Sequence, residues 1–409
     1  MVLHAPHRHW AAAALLLAAA LAFAAVLGAR GARAGTPGRQ SDAGPGGWSA
    51  LAGGGSFGPG ARIPPAGTAS APPLEATAAV LMDAAGGRVL FAKDAHRRLY
   101  PASVTKILTA YVVLRALGGG PAALDAPVTI SRQATAAGGS SMYLRAGAAV
   151  PVRDLLYGLM LASGNDAAVA LGEHVAGSTA AFAALLNRSA ADLGAHATHF
   201  VNPSGMPHRD HVTTAYDLAL ITRAALAEPE LSRIVATAQY TVHFADGRSL
   251  TYHNENRLLG QDGIDGVKTG YTTQAGQTYV ASATRGGMRL IAVVIGSSRA
   301  GKYRDAGRLL AWGFARYESV PLPPPGRAAG QTQLRGGTAR YVDLTLPPDA
   351  PTAVAVLPGE RVSVATDAPT VADAPVRLGQ AMGTLTVWIG DHPYGRWPLL
   401  AAKAVGKPR

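Results

Sequence analysis

The 409-residue sequence contains no cysteine. That absence excludes disulfides, thiolate metal centres, a cysteine nucleophile and attachment through a lipidated cysteine. Lysine is scarce as well. The only lysines are Lys93, Lys106, Lys268, Lys302, Lys403 and Lys407, so arginine supplies most of the 37 cationic side chains behind a formal net charge of +12. Aromatic residues make up 6 % of the chain, and the arginines are scattered. No basic run interleaved with aromatics is present, which argues against nucleic acid as a partner. An anionic envelope polymer or lipid headgroup suits such a charge better. A hydrophobic content of 48 % is ample for more than one packed core and excludes a disordered chain.

The N-terminus places His4, His7, Arg8 and His9 before an Ala/Leu-rich run from Trp10 to Gly28, followed by "ARGARAG", in which Ala32 and Ala34 form an A-x-A pattern before Gly35. Residues 1–34 therefore read as a signal peptide cleaved after Ala34, with an uncleaved membrane anchor as the competing reading. Both place the rest of the chain outside the cytoplasm. Residues 35–73 are Gly, Pro, Ala and Ser with almost no periodicity, as expected of a flexible tether.

A folded domain is expected over 74–319. Two apolar runs flank Ala84 to Gly87 and predict a hairpin. Helical spacing follows in Ala102–Leu117, Val152–Ala162, Asn165–Ala176, Thr179–Leu193 and Ala215–Ala227. Strand-like runs come late, in "QYTVHFA", "QTYVASATR" and "MRLIAVVIG", the last two joined by Gly286-Gly287. A final helix is expected over Tyr303–Tyr317. This order predicts an α/β (α+β) fold, one antiparallel sheet with a helical body. Prolines end the domain, residues 320–330 read as a linker, 331–402 alternate in period two as a small all-β domain, and 403–409 form a tail.

The chemistry begins at "PASVTK". Alone, Ser103 after Pro101-Ala102 reads as a helix N-cap. Its companions change that reading. A second rare lysine lies in "GVKTGYTT", as Lys268-Thr269-Gly270, and between the two comes "LASGNDAA", with Ser163, Gly164 and Asn165 in the turn joining two helices. This is the S-x-x-K, S-x-N and K-T-G set of serine enzymes that acylate on β-lactams, each element once and in order.

Each member has a physical reason. Serine needs a base to become a nucleophile, and Lys106, three residues on, shares its helical face. Lysine is a base only when neutral; burial and a second cation, Lys268, both favour the neutral form. Ser163 is placed to relay protons, Asn165 offers an amide to a substrate peptide group, and Gly164 leaves room for it. Thr269 and Thr272 are hydroxyl donors along a strand edge, suited to a carboxylate or to an extended peptide, and Gly270 keeps that edge clear. The backbone N–H groups of Ser103 and Tyr271 are the expected oxyanion donors.

With these motifs, "SMYLRAGAAVPVRDLLYGLMLASGNDAAVAL", "HFVNPSGMPHRDHVTTAYDLALITRA" and "GVKTGYTTQAGQTYVASATRGGMRLIAVVIG" resemble the low-molecular-mass penicillin-binding proteins, the serine D-Ala-D-Ala carboxypeptidases of the peptidase S11 family. The later "GTLTVWIG…WPLLA" resembles the β domain that follows their catalytic domain. The resemblance implies the penicillin-binding-protein-like transpeptidase fold and a cell-wall enzyme with no cofactor. Such an enzyme removes the terminal D-alanine from peptidoglycan pentapeptide stems through an acyl-enzyme on Ser103, and is acylated by β-lactams. It also implies a cation for the substrate carboxylate just before the closing helix. Lys302 matches best, with Arg299 and Arg304 close by. Many relatives end in an amphipathic membrane helix; here "LLAAKAVGKPR" is too short for one, which leaves the N-terminal segment as the expected membrane contact.

Other readings stay open beside this one: a catalytically idle wall-binding protein, a DD-endopeptidase or a transpeptidase. A class A-like β-lactamase would need a deacylating glutamate, and Glu228, Glu230 and Glu255 all lack the E-x-x-L-N context. His196, His199, His208 and His211 complete no ligand set, so no metal site is expected. Asp166 reads as a helix cap, and Glu173 and His174 as surface residues.

Overall fold

The computed structural model describes residues 71–408 apart from 119 and 349; the expected signal peptide and residues 35–70 of the tether lie outside the described residues. The first strand, β1 (Ala78–Asp83), is apolar until its last residue and buried along its whole length. Such a strand needs cover on both faces. It turns into β2 (Val89–Lys93) as expected, with Gly87 at φ 75° and its N–H on Asp83 O at 2.9 Å.

Two strand pairs and a three-stranded meander follow. They are β3 (Pro127–Thr129) with β4 (Ala149–Pro151), β5 (Gln239–His243) with β6 (Ser249–His253), and the successive long strands β7 (Ile264–Thr272), β8 (Gly276–Arg285) and β9 (Met288–Ser297). The main sheet has the order β2-β1-β9-β8-β7, antiparallel throughout, so β7 is an edge strand. "QYTVHFA" does form a strand, but outside that sheet, in the β5–β6 hairpin.

The helices are α1 (Lys106–Leu117), α2 (Pro121–Leu124), α3 (Arg132–Thr135), α4 (Val152–Leu161), α5 (Asn165–Ala176), α6 (Thr179–Asp192), α7 (Ala215–Ala227), α8 (Pro229–Val235) and α9 (Gly301–Arg316). Their ends follow local chemistry. Ser178 and Thr214 cap α6 and α7 through side-chain oxygens, and Gly118 and Gly177 close α1 and α5 in the left-handed region. The sheet separates two cores. Ala78, Val80 and Met82 of β1 join the helical body, while Ala79 and Leu81 face α9 through Ala306, Leu309 and Leu310. Period-two alternation of one strand thus feeds both.

Beyond α9 lie β10 (Glu318–Pro321), β11 (Ala328–Arg335), β12 (Tyr341–Thr345), β13 (Ala353–Val356), β14 (Val362–Asp367), β15 (Val371–Asp373), β16 (Ala381–Ile389) and β17 (His392–Ala401). Six form a sheet in the order β14-β16-β17-β12-β11-β15, and β10 pairs with β13. Strands β10 and β11 therefore enter the two ends of the expected linker 320–330 and leave 322–327 between them. The chain's alternation starts at Glu318, and proline is tolerated at the end of an edge strand. Strand β13 stitches the two domains: Ala355 enters the core under α9, whereas Val354 and Val356 enter the core of the β domain.

The polar centre of this junction is Asp83, fully buried. Its carboxylate accepts from Ala85 N at 3.1 Å, Ala355 N at 3.2 Å and the Tyr394 hydroxyl. Burial pushes the Asp83 carboxyl up, against the pull of those donors. Gly86 donates its N–H to the same hydroxyl at 2.7 Å, and a Cβ on Gly86 would meet the Tyr394 ring at 2.3 Å. Only glycine admits the tyrosine there. Arg88 and Glu360 add a two-pronged ion pair at 2.7 Å. Tyr394→Phe removes one donor from a buried carboxylate and is expected to cost about 1–3 kcal/mol, read as a lower denaturant midpoint; an unchanged midpoint would show that the junction does not depend on this bond.

Candidate active site

The predicted helix over 102–117 begins with a 3-10 turn, Ala102–Thr105, before α1 starts at Lys106. Ser103 lies inside this turn and caps nothing: its Oγ accepts from Lys106 Nζ at 2.9 Å. Ala102, just before it, has φ 55°, a strained value for a residue with a Cβ. Packing holds it there. Thr278 Oγ1 of β8 donates to Pro101 O at 2.9 Å, and Gly205 lies so close that a Cβ would sit 1.9 Å from Ala102 O.

Lys106 is completely buried. Its ammonium has three acceptors: Ser103 Oγ, Asn165 Oδ1 at 2.7 Å and Ser204 O at 2.8 Å. Burial and then the charge of Lys268 press its pKa well below the ordinary lysine value, with Glu255 and Asp166 opposing. In the neutral form two N–H groups remain for Asn165 and Ser204, and the lone pair faces the Ser103 hydroxyl. A base and a nucleophile in contact can carry out acyl transfer.

The Ser204 carbonyl was not singled out in the sequence. It is aimed by Asn202, whose Oδ1 accepts from the N–H groups of Ser204, Gly205 and Met206 at 3.2, 2.8 and 3.1 Å. The N-P-S-G run was the available signal, because it spells a tight Asx-type turn. His211 supports the same region: it is buried, accepts from Val201 N at 3.1 Å and meets Thr105 Oγ1 at 2.9 Å. Burial lowers its pKa to about 3, so it is neutral in ordinary conditions.

Ser163, Gly164 and Asn165 occupy the α4–α5 turn, Ser163 with φ 58°. Asn165 has both ends of its amide engaged, Oδ1 with Lys106 and Nδ2 with Gly138 O at 2.8 Å. Asp166 accepts from Ala167 N in the first turn of its own helix at 2.9 Å, as a capping side chain does, but it reaches further. It accepts from Ser141 Oγ at 2.6 Å and from the N–H groups of Met142 and Leu144, pinning the loop before α4 across the site. Gly164 makes room for that carboxylate, since a Cβ would lie 2.8 Å from Asp166 Oδ1.

Edge strand β7 supplies the opposite wall. Lys268 is buried, and its Nζ donates to Thr269 O at 3.1 Å and to Glu255 Oε2 at 3.4 Å. Burial lowers its pKa, and Glu255 counteracts this. Thr269 Oγ1 donates to the same Glu255 oxygen at 3.0 Å. A Cβ on Gly270 would lie 2.9 Å from Ser103 N and 2.4 Å from Thr278 Oγ1, so glycine lets β7 press on the Ser103 turn. Tyr271 is exposed, and Thr272 Oγ1 accepts from Ala275 N at 3.0 Å in the β7–β8 turn. Of the three candidate cations, Arg304 is paired with Glu75, whereas Lys302 is buried and is acted on by the charge of Lys268. Burial and Lys268 lower the Lys302 pKa to about 8.

Two domains and a serine–lysine pair walled by a K-T-G edge strand define a class, the penicillin-interacting serine peptidases. Comparison with known proteins agrees. The profile of the D-alanyl-D-alanine carboxypeptidase family, peptidase S11, matches residues 66–299. The D-alanyl-D-alanine carboxypeptidase DacF of Bacillus subtilis is 34 % identical, covering 81 % of this chain and 86 % of its own. DacD of Salmonella typhimurium is 35 % identical, with 82 % and 88 % covered. Among solved structures, penicillin binding protein 5 from Haemophilus influenzae superposes with a TM-score of 0.63 at 31 % identity, covering 83 % of this chain and 100 % of that one. Penicillin binding protein 6B from Escherichia coli gives 0.61 at 32 %, covering 83 % and 99 %. The chain belongs to the serine D-alanyl-D-alanine carboxypeptidase family.

The two buried lysines generate a pH prediction. A base with a lowered pKa is active above that pKa and fails as pH falls through it. Lys268→Gln removes a positive neighbour, raises the Lys106 pKa and so moves the acid limb of β-lactam acylation to higher pH. A limb that stays in place would uncouple the lysines.

Proposed function

We propose that the site releases the terminal D-alanine of peptidoglycan pentapeptide stems through an acyl-enzyme on Ser103. The observation that carries this is the contact of Ser103 Oγ with the buried Lys106 Nζ at 2.9 Å. Neutral Lys106 takes the hydroxyl proton as Oγ attacks the D-Ala-D-Ala carbonyl. The N–H groups of Ser103 and Tyr271 hold the oxyanion, and the proton passes to the leaving amine with Ser163 as relay. Water then hydrolyses the ester.

Asn165 serves by orienting Lys106, and Lys268 by keeping it neutral. The edge strand offers its free side to the peptide, with Thr269, Thr272 and Lys302 as donors for the terminal carboxylate. β-Lactams, which carry an amide carbonyl and a carboxylate in similar relation, acylate the same serine and stay bound. The wild-type protein is expected to release D-alanine from a D-Ala-D-Ala peptide, and Ser103→Ala to lose about 10³-fold or more of that rate together with penicillin labelling at Ser103. Release without a Ser103 adduct would overturn the assignment. No release from folded protein would favour the wall-binding reading.

Such a substrate lies outside the cytoplasm, and we assign the protein to the cell envelope, exported by its N-terminal segment. Among the described residues no single helix is long and apolar enough to cross a membrane. N-terminal sequencing of the exported protein is expected to find Gly35; an intact Trp10 segment that resists a high-salt wash would identify an anchor.

A further inference from the structure

Glu255 lies outside the three motifs, yet its carboxylate rests on Thr269, one of the donors proposed for the substrate carboxylate, and on Lys268 beside it. Its Oε2 accepts from Thr269 Oγ1 at 3.0 Å and from Lys268 Nζ at 3.4 Å. The side chain is 46 % exposed, while that of Lys268 beneath it is 1 % exposed. Glu255 therefore covers the lysine from the solvent side. The positions around it are built. Asn254 Nδ2 donates to Val235 O and Thr237 O at 3.1 and 3.0 Å, and Asn256 Nδ2 donates to Gly266 O at 2.9 Å. Asn256 Oδ1 accepts from the buried Tyr279 hydroxyl at 2.5 Å, and the Tyr303 hydroxyl donates to Glu255 O at 3.2 Å. Two asparagine locks and a tyrosine thus fix the backbone, while the carboxylate itself is held by Thr269 and Lys268.

We propose that Glu255 is a resident carboxylate that occupies the Lys268–Thr269 donor pair in the empty enzyme and yields it to the carboxylate of the incoming acyl donor. The proposal rests on the reading that a carboxylate-ended peptide binds along β7. Its logic is charge balance. The cations Lys268, Arg257 and Arg299 all act on Lys302, and Glu255 is the acidic group among the charges that do so. Without an anion, Lys268 would be a buried unpaired cation. With substrate bound, a second carboxylate on the same donors would repel the first, so the half-exposed Glu255 moves out to water. Glu255 acts as a selectivity filter: a ligand gains the donor pair only if its own anion displaces the resident one.

The test compares benzylpenicillin with its methyl ester, which differ only at the carboxylate, using second-order rate constants for acylation of the full exported protein followed by intact mass. The ratio of acid to ester cancels any general loss of reactivity. For Glu255→Gln the ratio is expected to rise about tenfold, the lower end of the worth of one competing hydrogen bond to a charged group, and Glu255→Ala is expected to change it in the same sense. A ratio that stays level or falls in both variants overturns the proposal. D-Alanine release by the wild type is measured alongside. Release with an unmoved ratio removes the exchange alone, and a raised ratio without release removes the carboxypeptidase reading while leaving the exchange of carboxylates standing.

Discussion

The constraint on which the rest of the structure depends is the burial of Lys106. A charged ammonium removed from water costs several kcal/mol unless it is paired or neutral, and the fold meets that cost with acceptors brought from three segments and a neighbouring cation that favours the neutral form. Ser103 comes from the preceding turn, Asn165 from the start of α5, and Ser204 from the loop before α7. Lys268, from β7, acts by charge rather than by contact. No two of these segments are adjacent in sequence except Ser103 and its own lysine. The convergence explains the tight glycines. Gly205 and Gly270 stand where two backbones must approach closer than a Cβ permits, and both approaches end on the Ala102–Ser103 turn. The strained φ of Ala102 is the local consequence of being gripped from both sides.

Much of this was legible in the sequence because periodicity and spacing carry it. The helices over 152–161, 165–176 and 215–227, the β8–β9 hairpin and the sheet with its helical body follow from apolar pattern and turn residues. The pairing of Ser103 with Lys106 followed from spacing on a helix, although the turn there is 3-10. What stayed hidden depends on long-range contact. Asp166 looks like a cap because it follows a turn, and only the fold brings Ser141 and Met142 to it. A backbone carbonyl such as that of Ser204 has no side-chain signature at all. The strand character of 318–321 was masked by Pro321 and the prolines just after it, because pairing with β13 is decided some thirty residues downstream.

The same logic separates the two lysines. Both are buried and both have lowered pKa values, but they are bonded differently. Lys106 is ringed by neutral acceptors, which suit an amine as well as an ammonium. Lys268 touches a carboxylate, which favours its charged form. Two like groups in one site are driven apart in protonation by unlike partners, and that division yields a base beside a fixed cation.

Position in the sheet completes the division. An edge strand normally hides its unpaired backbone groups with charge, a bulge or a covering loop. Strand β7 keeps its inner residues anchored on β8 from Ile264 to Thr272, and sets Lys268 and Thr269 under a single half-exposed carboxylate. The Ser103 turn packs on Gly270 and Asn256 holds Gly266 O, and over Lys268 and Thr269 the cover is one side chain. Removing a covering loop would require breaking many contacts at once, whereas a side chain leaves by rotation about a few bonds with its backbone held by Asn254 and Asn256. On the proposal above, the Lys268–Thr269 donors are engaged until an extended peptide brings its own negative charge to displace Glu255. The Lys106 cluster would then fix where the proton goes, and Glu255 which ligand reaches it.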